Sequence, residues 1–276
     1  MVVVFGSVNL DLVAQAARIP APGETLAGSG FTMAPGGKGA NQALAARRAG
    51  ARVVLFGAVG DDAFASAAVA NLAAAGVELG LARAPVSTGV ALITVDARGE
   101  NAITVVAGAN AHARAAQVPD AALVRGNTLL MQLEVPSAEV VALATRAHAR
   151  GVRVVVNAAP ALPLARGLLR DLDVLVVNEH EARICAGRDE APEAFVARMH
   201  RELRLDSVVT LGARGALTRD ALVSAPRVEV VDTTGAGDAF AGALTAALDA
   251  GATLRDAVAA GVAAGTACCA HRGAQG

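Results

Sequence analysis

The chain reads Asp232-Thr233-Thr234-Gly235-Ala236-Gly237-Asp238 directly after an apolar run, residues 228–231. An apolar run, a glycine-rich turn and an alanine-rich stretch in this order predict a strand that leads into a helix. The first N–H groups of a helix have no intrahelical acceptor, and glycines let an anion approach the backbone. We therefore predict an anion hole for a phosphate at the N–H groups of Gly235, Ala236, Gly237 and Asp238. Alone, an aspartate at a helix start is also typical of a cap.

Two common phosphate-binding motifs do not fit the chain. A dinucleotide fingerprint needs a third glycine three residues after Gly237, and that position is Phe240. A P-loop needs Gly-Lys followed by Ser or Thr, whereas Gly37-Lys38 is followed by Gly39. The glycine-rich turns therefore predict a different type of phosphate site.

The composition argues against several classes of partner. The formal net charge of the 276 residues is −1, whereas nucleic-acid binders rely on an excess of Lys and Arg. The chain has no Trp or Tyr on which bases could stack. No apolar run reaches the ~20 residues of a membrane span, and an apolar run at residues 2–5 follows Met1 without a basic leader. We expect a cytoplasmic protein that binds neither nucleic acid nor membrane.

Apolar runs that predict strands alternate with helical patterns along the chain. The predicted strands are residues 2–5, 52–57, 129–133, 152–157, 174–177 and 207–211. A helical pattern at residues 62–75 follows the second of these strands, and another at residues 137–150 follows the third. This alternation predicts an α/β fold, with a mostly parallel central sheet and helices on both faces. Polar residues that follow the strands should then meet at the carboxyl edge, where such sheets bind ligands.

One segment departs from the α/β pattern. Residues 89–95 and 101–106 are short β-rich runs joined by Asp96-Ala97-Arg98-Gly99-Glu100. This spacing predicts a hairpin.

A second glycine cluster, Gly36-Gly37-Lys38-Gly39-Ala40-Asn41-Gln42, opens a predicted helix that ends near residue 49. With further motifs spread in order over the chain, it resembles the ribokinase-like family of carbohydrate kinases. Those motifs are Ser7-Val8-Asn9-Leu10-Asp11, Met131-Gln132-Leu133-Glu134, Asn157-Ala158-Ala159-Pro160, Asn178-Glu179-His180-Glu181 and Gly273-Ala274-Gln275. The resemblance implies one Rossmann-type α/β domain over residues 1–276. It also implies a small β-sheet lid, formed by about residues 12–31 and 87–108, that joins two subunits into a homodimer.

The resemblance also implies roles for individual residues. Asp238 would be the general base, beside an anion hole at Gly235, Ala236 and Gly237. The sugar would contact Asn9, Asp11, Gly37, Lys38, Asn41, Glu134 and Asp238. ATP would contact Asn178, Thr210, Gly212 and Gly237. Glu181 would bind Mg²⁺ through water, although Asn178 and Glu181 also fit a helix capping box. A K⁺ site would involve Asp232, Thr234, Cys268, His271 and Gly273.

The activity implied by the resemblance is ATP-dependent phosphorylation of the 5-hydroxyl of D-ribose. Deoxyribose, fructose or adenosine are alternative acceptors within the family. A non-catalytic sugar- or nucleotide-binding regulator is the alternative from another class. Members of the family usually continue past the position that matches Gly276 with part of a monovalent-cation loop, so activation by K⁺ stays open.

Overall fold

The protein, described over residues 1–276 by a computed structural model, has thirteen strands and eight α-helices. The strands are β1 (Val2–Phe5), β2 (Asn9–Gln15), β3 (Gly30–Gly36), β4 (Val53–Gly60), β5 (Glu78–Ala84), β6 (Gly89–Val95), β7 (Asn101–Val106), β8 (Thr128–Met131), β9 (Arg153–Asn157), β10 (Val174–Asn178), β11 (Asp206–Thr210), β12 (Ala216–Leu217) and β13 (Leu222–Val223). The helices are α1 (Lys38–Arg48), α2 (Ala63–Ala74), α3 (Ser137–Ala149), α4 (Arg166–Arg170), α5 (Glu179–Ala186), α6 (Pro192–Leu203), α7 (Ala236–Asp249) and α8 (Leu254–Cys268).

Nine strands form the larger sheet, in the order β13-β12-β11-β10-β9-β8-β1-β4-β5. The strands from β11 to β5 are parallel to their neighbours, and the short β12 and β13 add an antiparallel edge. Parallel neighbours need long crossover connections, and helices supply most of them. The predicted mostly parallel sheet is confirmed.

The core lies on both faces of this sheet. In β1, Val2 and Val4 point into one apolar cluster, and Val3 and Phe5 point into another, with all four side chains fully buried. Helices α1, α2, α7 and α8 supply residues to the first cluster, and α3, α4 and α6 supply residues to the second. A strand that is covered on both faces must be apolar at every position, which explains its unbroken valine run.

A separate four-stranded sheet has the order β3-β2-β6-β7. Strand β2 pairs in parallel with β6, while β2–β3 and β6–β7 are antiparallel. The predicted hairpin of residues 89–95 and 101–106 is confirmed as β6 and β7. We call this sheet the lid sheet. Residues 16–29 connect β2 to β3 and form no strand themselves. The assignment of the whole chain to one domain stays a prediction.

The predicted strand at residues 228–231 is wrong. These residues form no strand, and Val230 is 60% exposed. The preceding strand β13, not this run, forms the edge of the larger sheet and pairs with β12. The N–H of Val231 instead donates to the carbonyl oxygen of Cys269, at 2.8 Å. None of the helices combines the length and the apolar character that crossing a membrane requires.

Helices α1 and α7 approach each other closely at Gly242. A Cβ at this position would lie 2.5 Å from the carbonyl oxygen of Gln42 and 2.6 Å from the Cβ of Ala45. We therefore expect Gly242→Ala to lower the free energy of unfolding by about 1–3 kcal/mol, as overpacking does, measured by urea denaturation. Gly167→Ala in α4 is the control, because no atom lies within 4 Å of its added Cβ. Equal stability of the two variants would contradict this prediction.

Candidate active site

Polar side chains meet where β1, β8 and β9 of the larger sheet end. Asn9 and Asp11 lie on β2, close after β1, and Glu134 lies close after β8. Burial raises the pKa of Asp11 to about 6, with further increases from the charges of Glu134 and Asp238. The three carboxylates therefore lie close enough for their charges to interact, although they come from distant parts of the chain.

Asp238 lies in the first turn of α7 and is 7% exposed. Its Oδ2 accepts a hydrogen bond from Asn41 Nδ2 at 3.0 Å, and its Oδ1 accepts one from Gln42 Nε2 at 2.8 Å. Burial raises the pKa of Asp238. The positive charge of Lys38 and the two amide hydrogen bonds oppose that increase, whereas the charge of Glu134 adds to it. The protein thus holds a buried carboxyl group with neutral donors on both oxygens.

The turn before α7 presents unpaired backbone donors. The N–H groups of Gly235, Gly237 and Asp238 have no acceptor within the protein, whereas the N–H of Ala236 donates to the carbonyl of Thr233 at 3.2 Å. The prediction that all four groups are unpaired is therefore wrong for Ala236, because the turn closes on itself there. A Cβ at Gly237 would meet no atom within 4 Å, so space remains beside these donors.

Glu134 fixes the start of α1 against the loop after β1. Its Oε2 accepts hydrogen bonds from Ser7 Oγ at 2.6 Å and from the N–H of Lys38 at 3.0 Å. The N–H of Gly39 in turn donates to Ser7 Oγ at 3.2 Å. Gly37 has a φ of 88°, and a Cβ there would lie 2.7 Å from the nitrogen of Asn9. Only glycine fits this contact, which brings Lys38 and Asn41 next to β2.

Asn110 orients Asn9 and was missed by the sequence analysis. Its Nδ2 donates to Asn9 Oδ1 at 2.7 Å, and its Oδ1 accepts from the N–H of Val8 at 2.9 Å. Because Asn9 Oδ1 accepts this bond, its Nδ2 stays available as a donor. The only signal in the sequence is a single amide in the small-residue run after β7.

Gln42, Gln132, Asn157 and Gln275 belong to the motifs that carry the family resemblance, but the sequence assigned no role to them. All four are buried. Gln275 Nε2 donates to Asn41 Oδ1 at 2.9 Å, so the last residues of the chain contact the site.

A cleft of about 490 Å³ opens beside the start of α7. Thr210, Gly212 and Gly237, three of the residues predicted to contact ATP, line it. Its apolar wall includes Ala225, Pro226, Val228, Val230, Phe240 and Val262. The apolar run that failed to form a strand therefore forms part of this wall.

Asn178 does not line that cleft. Its side-chain oxygen accepts from the N–H of Glu181 at 2.8 Å, and its own N–H donates to Glu181 Oε2 at 2.7 Å. The alternative of a capping box is thus confirmed for the start of α5.

Glu181 is buried, and the charges of Lys38 and Asp238 influence its pKa. Burial raises the pKa of Glu181, and the hydrogen bond from Asn178 and the charge of Lys38 oppose this. Glu181 Oε1 accepts no hydrogen bond within the protein, and an oxygen ligand of this kind suits Mg²⁺. No group of three or more potential metal-ligating His, Cys, Asp or Glu side chains occurs, so an ion here would take its other ligands from phosphate and water.

The predicted K⁺ residues lie in two loops that contact each other. Asp232 accepts hydrogen bonds from the N–H of Thr234 at 2.9 Å and of Gly273 at 2.8 Å. Desolvation opposes a low pKa for Asp232, but these hydrogen bonds outweigh it and lower the pKa. Cys268 Sγ donates to the carbonyl of Thr234 at 3.5 Å. His271 lies in the same turn and makes no hydrogen bond to Asp232 or Thr234.

Known proteins resemble this chain over nearly all of its length. A model of the pfkB family of carbohydrate kinases matches residues 1–276. Ribokinase from Schizosaccharomyces pombe is 39% identical over 277 residues, covering 92% of this chain and 87% of the relative. Deoxyribokinase from Salmonella typhi is 36% identical over 255 residues, covering 87% and 83%.

The fold is shared with a solved ribokinase. The structure of Arabidopsis thaliana ribokinase complexed with ribose and ATP matches 99% of this chain and 94% of its own, with a TM-score of 0.89 and 29% identity. Because the family model spans residues 1–276, the chain belongs to the pfkB family of carbohydrate kinases.

Proposed function

We propose that this kinase transfers the γ-phosphoryl group of ATP to the 5-hydroxyl of D-ribose, giving ribose 5-phosphate and ADP. Family membership supports the sugar kinase activity, and the similarity to ribokinases supports ribose as the acceptor. The observation that carries the proposal is the Asp238 carboxylate, buried beside unpaired N–H groups at the start of α7.

Phosphoryl transfer needs a base near the attacking hydroxyl and positive partial charge near the phosphate. In the proposed arrangement, Asp238 receives the proton of the sugar hydroxyl. The N–H groups of Gly235, Gly237 and Asp238 stabilise the negative charge on the transferred group. Because the Ala236 N–H is paired with Thr233, three donors rather than four form the anion hole. Lys38 adds a positive charge on the same side, and its influence on the pKa of Asp238 supports this placement.

The proposed sugar site consists of polar groups whose hydrogen bonds are only partly used within the protein. Asn9 Nδ2 remains a donor, and Glu134 Oε1 remains an acceptor. Asp11, Lys38, Asn41 and the backbone of Gly37 complete the set. A site built to bind a hydroxyl rejects the analogue that lacks it, because its own polar groups are left unpaired.

A second candidate acceptor is 2-deoxyribose, because one relative with 36% identity is a deoxyribokinase. The two sugars differ at the 2-hydroxyl, so the comparison of their rates separates the two proposals.

For the nucleotide, we propose that ATP occupies the cleft of about 490 Å³ beside Thr210, Gly212 and Gly237. Asn178 would act indirectly, by fixing Glu181 through the capping box. Mg²⁺ bound near Glu181 through water would neutralise phosphate charge. K⁺ bound at the Asp232, Thr234, Cys268, His271 and Gly273 loops would order the turn before α7.

Asp238→Asn should lower kcat by about 10²–10⁴-fold, because it removes the base and keeps the backbone donors. ATP affinity should change by less than threefold. Retained activity of Asp238→Asn would contradict the base assignment.

Release of ADP, measured with ribose, deoxyribose, fructose and adenosine, should give the highest kcat/KM for ribose. A tenfold preference for another acceptor would overturn ribose as the substrate but not the kinase activity.

Chelation of divalent ions should abolish ADP release, and added Mg²⁺ should restore it.

Activity should also rise when K⁺ replaces a large organic cation, because an ion between the two loops would fix the donors of Gly235 and Gly237. Asp232→Asn should weaken the response to K⁺ and leave the response to Mg²⁺ unchanged. A flat K⁺ titration of the wild type would show that no such site acts here.

We also propose that two subunits join through the lid sheet. All six residues of the edge strand β7 are exposed, and Phe31 and Met33 on β3 and Leu92 on β6 add exposed apolar surface. An exposed edge strand invites pairing with another chain. Light scattering at micromolar concentration should report a dimer, and Ile103→Glu in β7 should convert it to a monomer. Val124→Glu, an exposed apolar position outside the lid sheet, is the control. A monomeric wild type would refute the interface.

A further inference from the structure

A row of buried side-chain amides ends on the Asp238 carboxylate. Asn157 Nδ2 donates to the carbonyl of Val176 at 3.2 Å. Gln42 Nε2 donates to Asn157 Oδ1 at 2.9 Å and to Asp238 Oδ1 at 2.8 Å. Gln132 Nε2 donates to Gln42 Oε1 at 2.7 Å. Gln42 and Gln132 are 0% exposed, so solvent does not take part in these bonds.

The direction of each amide is determined by the backbone of β10. The carbonyl of Val176 can only accept, so Asn157 must turn its NH₂ toward β10 and its oxygen toward Gln42. Gln42 must then present its NH₂ to Asn157, and the second hydrogen of that NH₂ reaches Asp238. A rotated Gln42 amide would place its oxygen against two acceptors, Asn157 Oδ1 and Asp238 Oδ1. Gln132 stabilises the same orientation from the other end, because it donates to Gln42 Oε1.

We propose that Gln42 is a positioning residue for the Asp238 carboxylate, and that Asn157 and Gln132 act through Gln42 by fixing the direction of its amide. The proposal deepens the proposed function, on which it rests for the role of Asp238 as base. The neutral amide of Gln42 donates a hydrogen bond to one oxygen of the carboxylate. It thereby sets the plane of the carboxylate and favours the charged form, which accepts a proton. The full burial of Gln42 excludes direct contact with the sugar.

Several charged or titratable groups face Asp238 from the surrounding elements. They are Lys38 on α1, Asp11 on β2, Glu134 after β8, Glu181 on α5 and Cys268 on α8. A neutral substitution at Gln42 changes none of these groups. An altered titration of Asp238 in such a variant would therefore report the lost hydrogen bond.

The test is Gln42→Met, which keeps the side-chain length and removes the donor. Loss of a hydrogen bond to a charged group should raise the pKa of Asp238 by about one pH unit. Because the base is then protonated over a wider range, the acid limb of the kcat profile should move to higher pH. At pH values below both pKa values, the kcat of Gln42→Met should be about tenfold lower than that of the wild type, and the KM for the sugar should change by less than about threefold.

Gln132→Met provides a second, milder variant. Gln132 Oε1 already lacks a partner, so this change removes only the bond to Gln42. It should shift the acid limb in the same direction by a smaller amount. If Gln42→Met does not fold, Gln132→Met decides the question. Gln117→Met is the matched control, because Gln117 contacts Arg114 and Gly57 rather than the amide row, and its profile should equal that of the wild type.

A direct readout separates this proposal from the proposed function. Carbon-13 NMR of labelled aspartate carboxyls, with Asp238→Asn for assignment, gives the pKa of Asp238 without any turnover. If the wild type is active, and both variants have the same Asp238 pKa and the same pH profile as the wild type, the positioning role is wrong and the proposed function stands. A raised Asp238 pKa in Gln42→Met, in a protein that phosphorylates no sugar, would support the positioning of the carboxylate and refute the kinase.

Discussion

A carboxylate held inside the protein without a directly bonded cation is the constraint on which the site depends. Burying an ion costs several kcal/mol unless hydrogen bonds replace its water. Asp238 receives those bonds from Asn41 and Gln42, consecutive residues of α1. Side chains of consecutive helical residues point about 100° apart, so both can reach one carboxylate only if the two helices lie very close together. Gly242 on α7 permits that approach.

The same closeness explains how two helix starts meet at one site. Each of α1 and α7 begins after a glycine with positive φ, 88° at Gly37 and 79° at Gly235. Neither glycine has room for a side chain, because a Cβ would lie 2.7 Å from the nitrogen of Asn9 in one case and 2.5 Å from Cα of Ala274 in the other. The start of α1 therefore packs tightly against the lid sheet, and the start of α7 packs tightly against the last residues of the chain. The two sides of the site are thus fixed by different parts of the protein.

The sequence predicted best what depends on local pattern. Strands β1, β6 and β7 have the predicted bounds, because buried valine runs and a five-residue turn signal are local features. Residues 228–231 have the same apolar character but line a cleft, and periodicity does not distinguish a cleft wall from a sheet. Asn110 and Gln42 could not be given roles from the sequence. Their partners lie about a hundred residues or more away, and only the packing of the strands brings them into contact.

The register of the lid sheet places its residues at increasing distances from the row that contains Asn9. Asn9 pairs with Gly36 on one side and with Gly89 on the other, and Val90 pairs with Val106. Asn9, Gly36 and Gly89 thus form one row of the lid sheet, and Val90 and Val106 belong to the next row. At about 3.4 Å per residue, Asp11 lies ~7 Å beyond the Asn9 row and Gln15 ~20 Å beyond it. A rotation of about 10° would displace the tip by ~3.5 Å and Asp11 by ~1 Å, but would leave Asn9 nearly stationary. Under such a rotation Asn9 would keep its position, whereas Asp11 would move with the sheet.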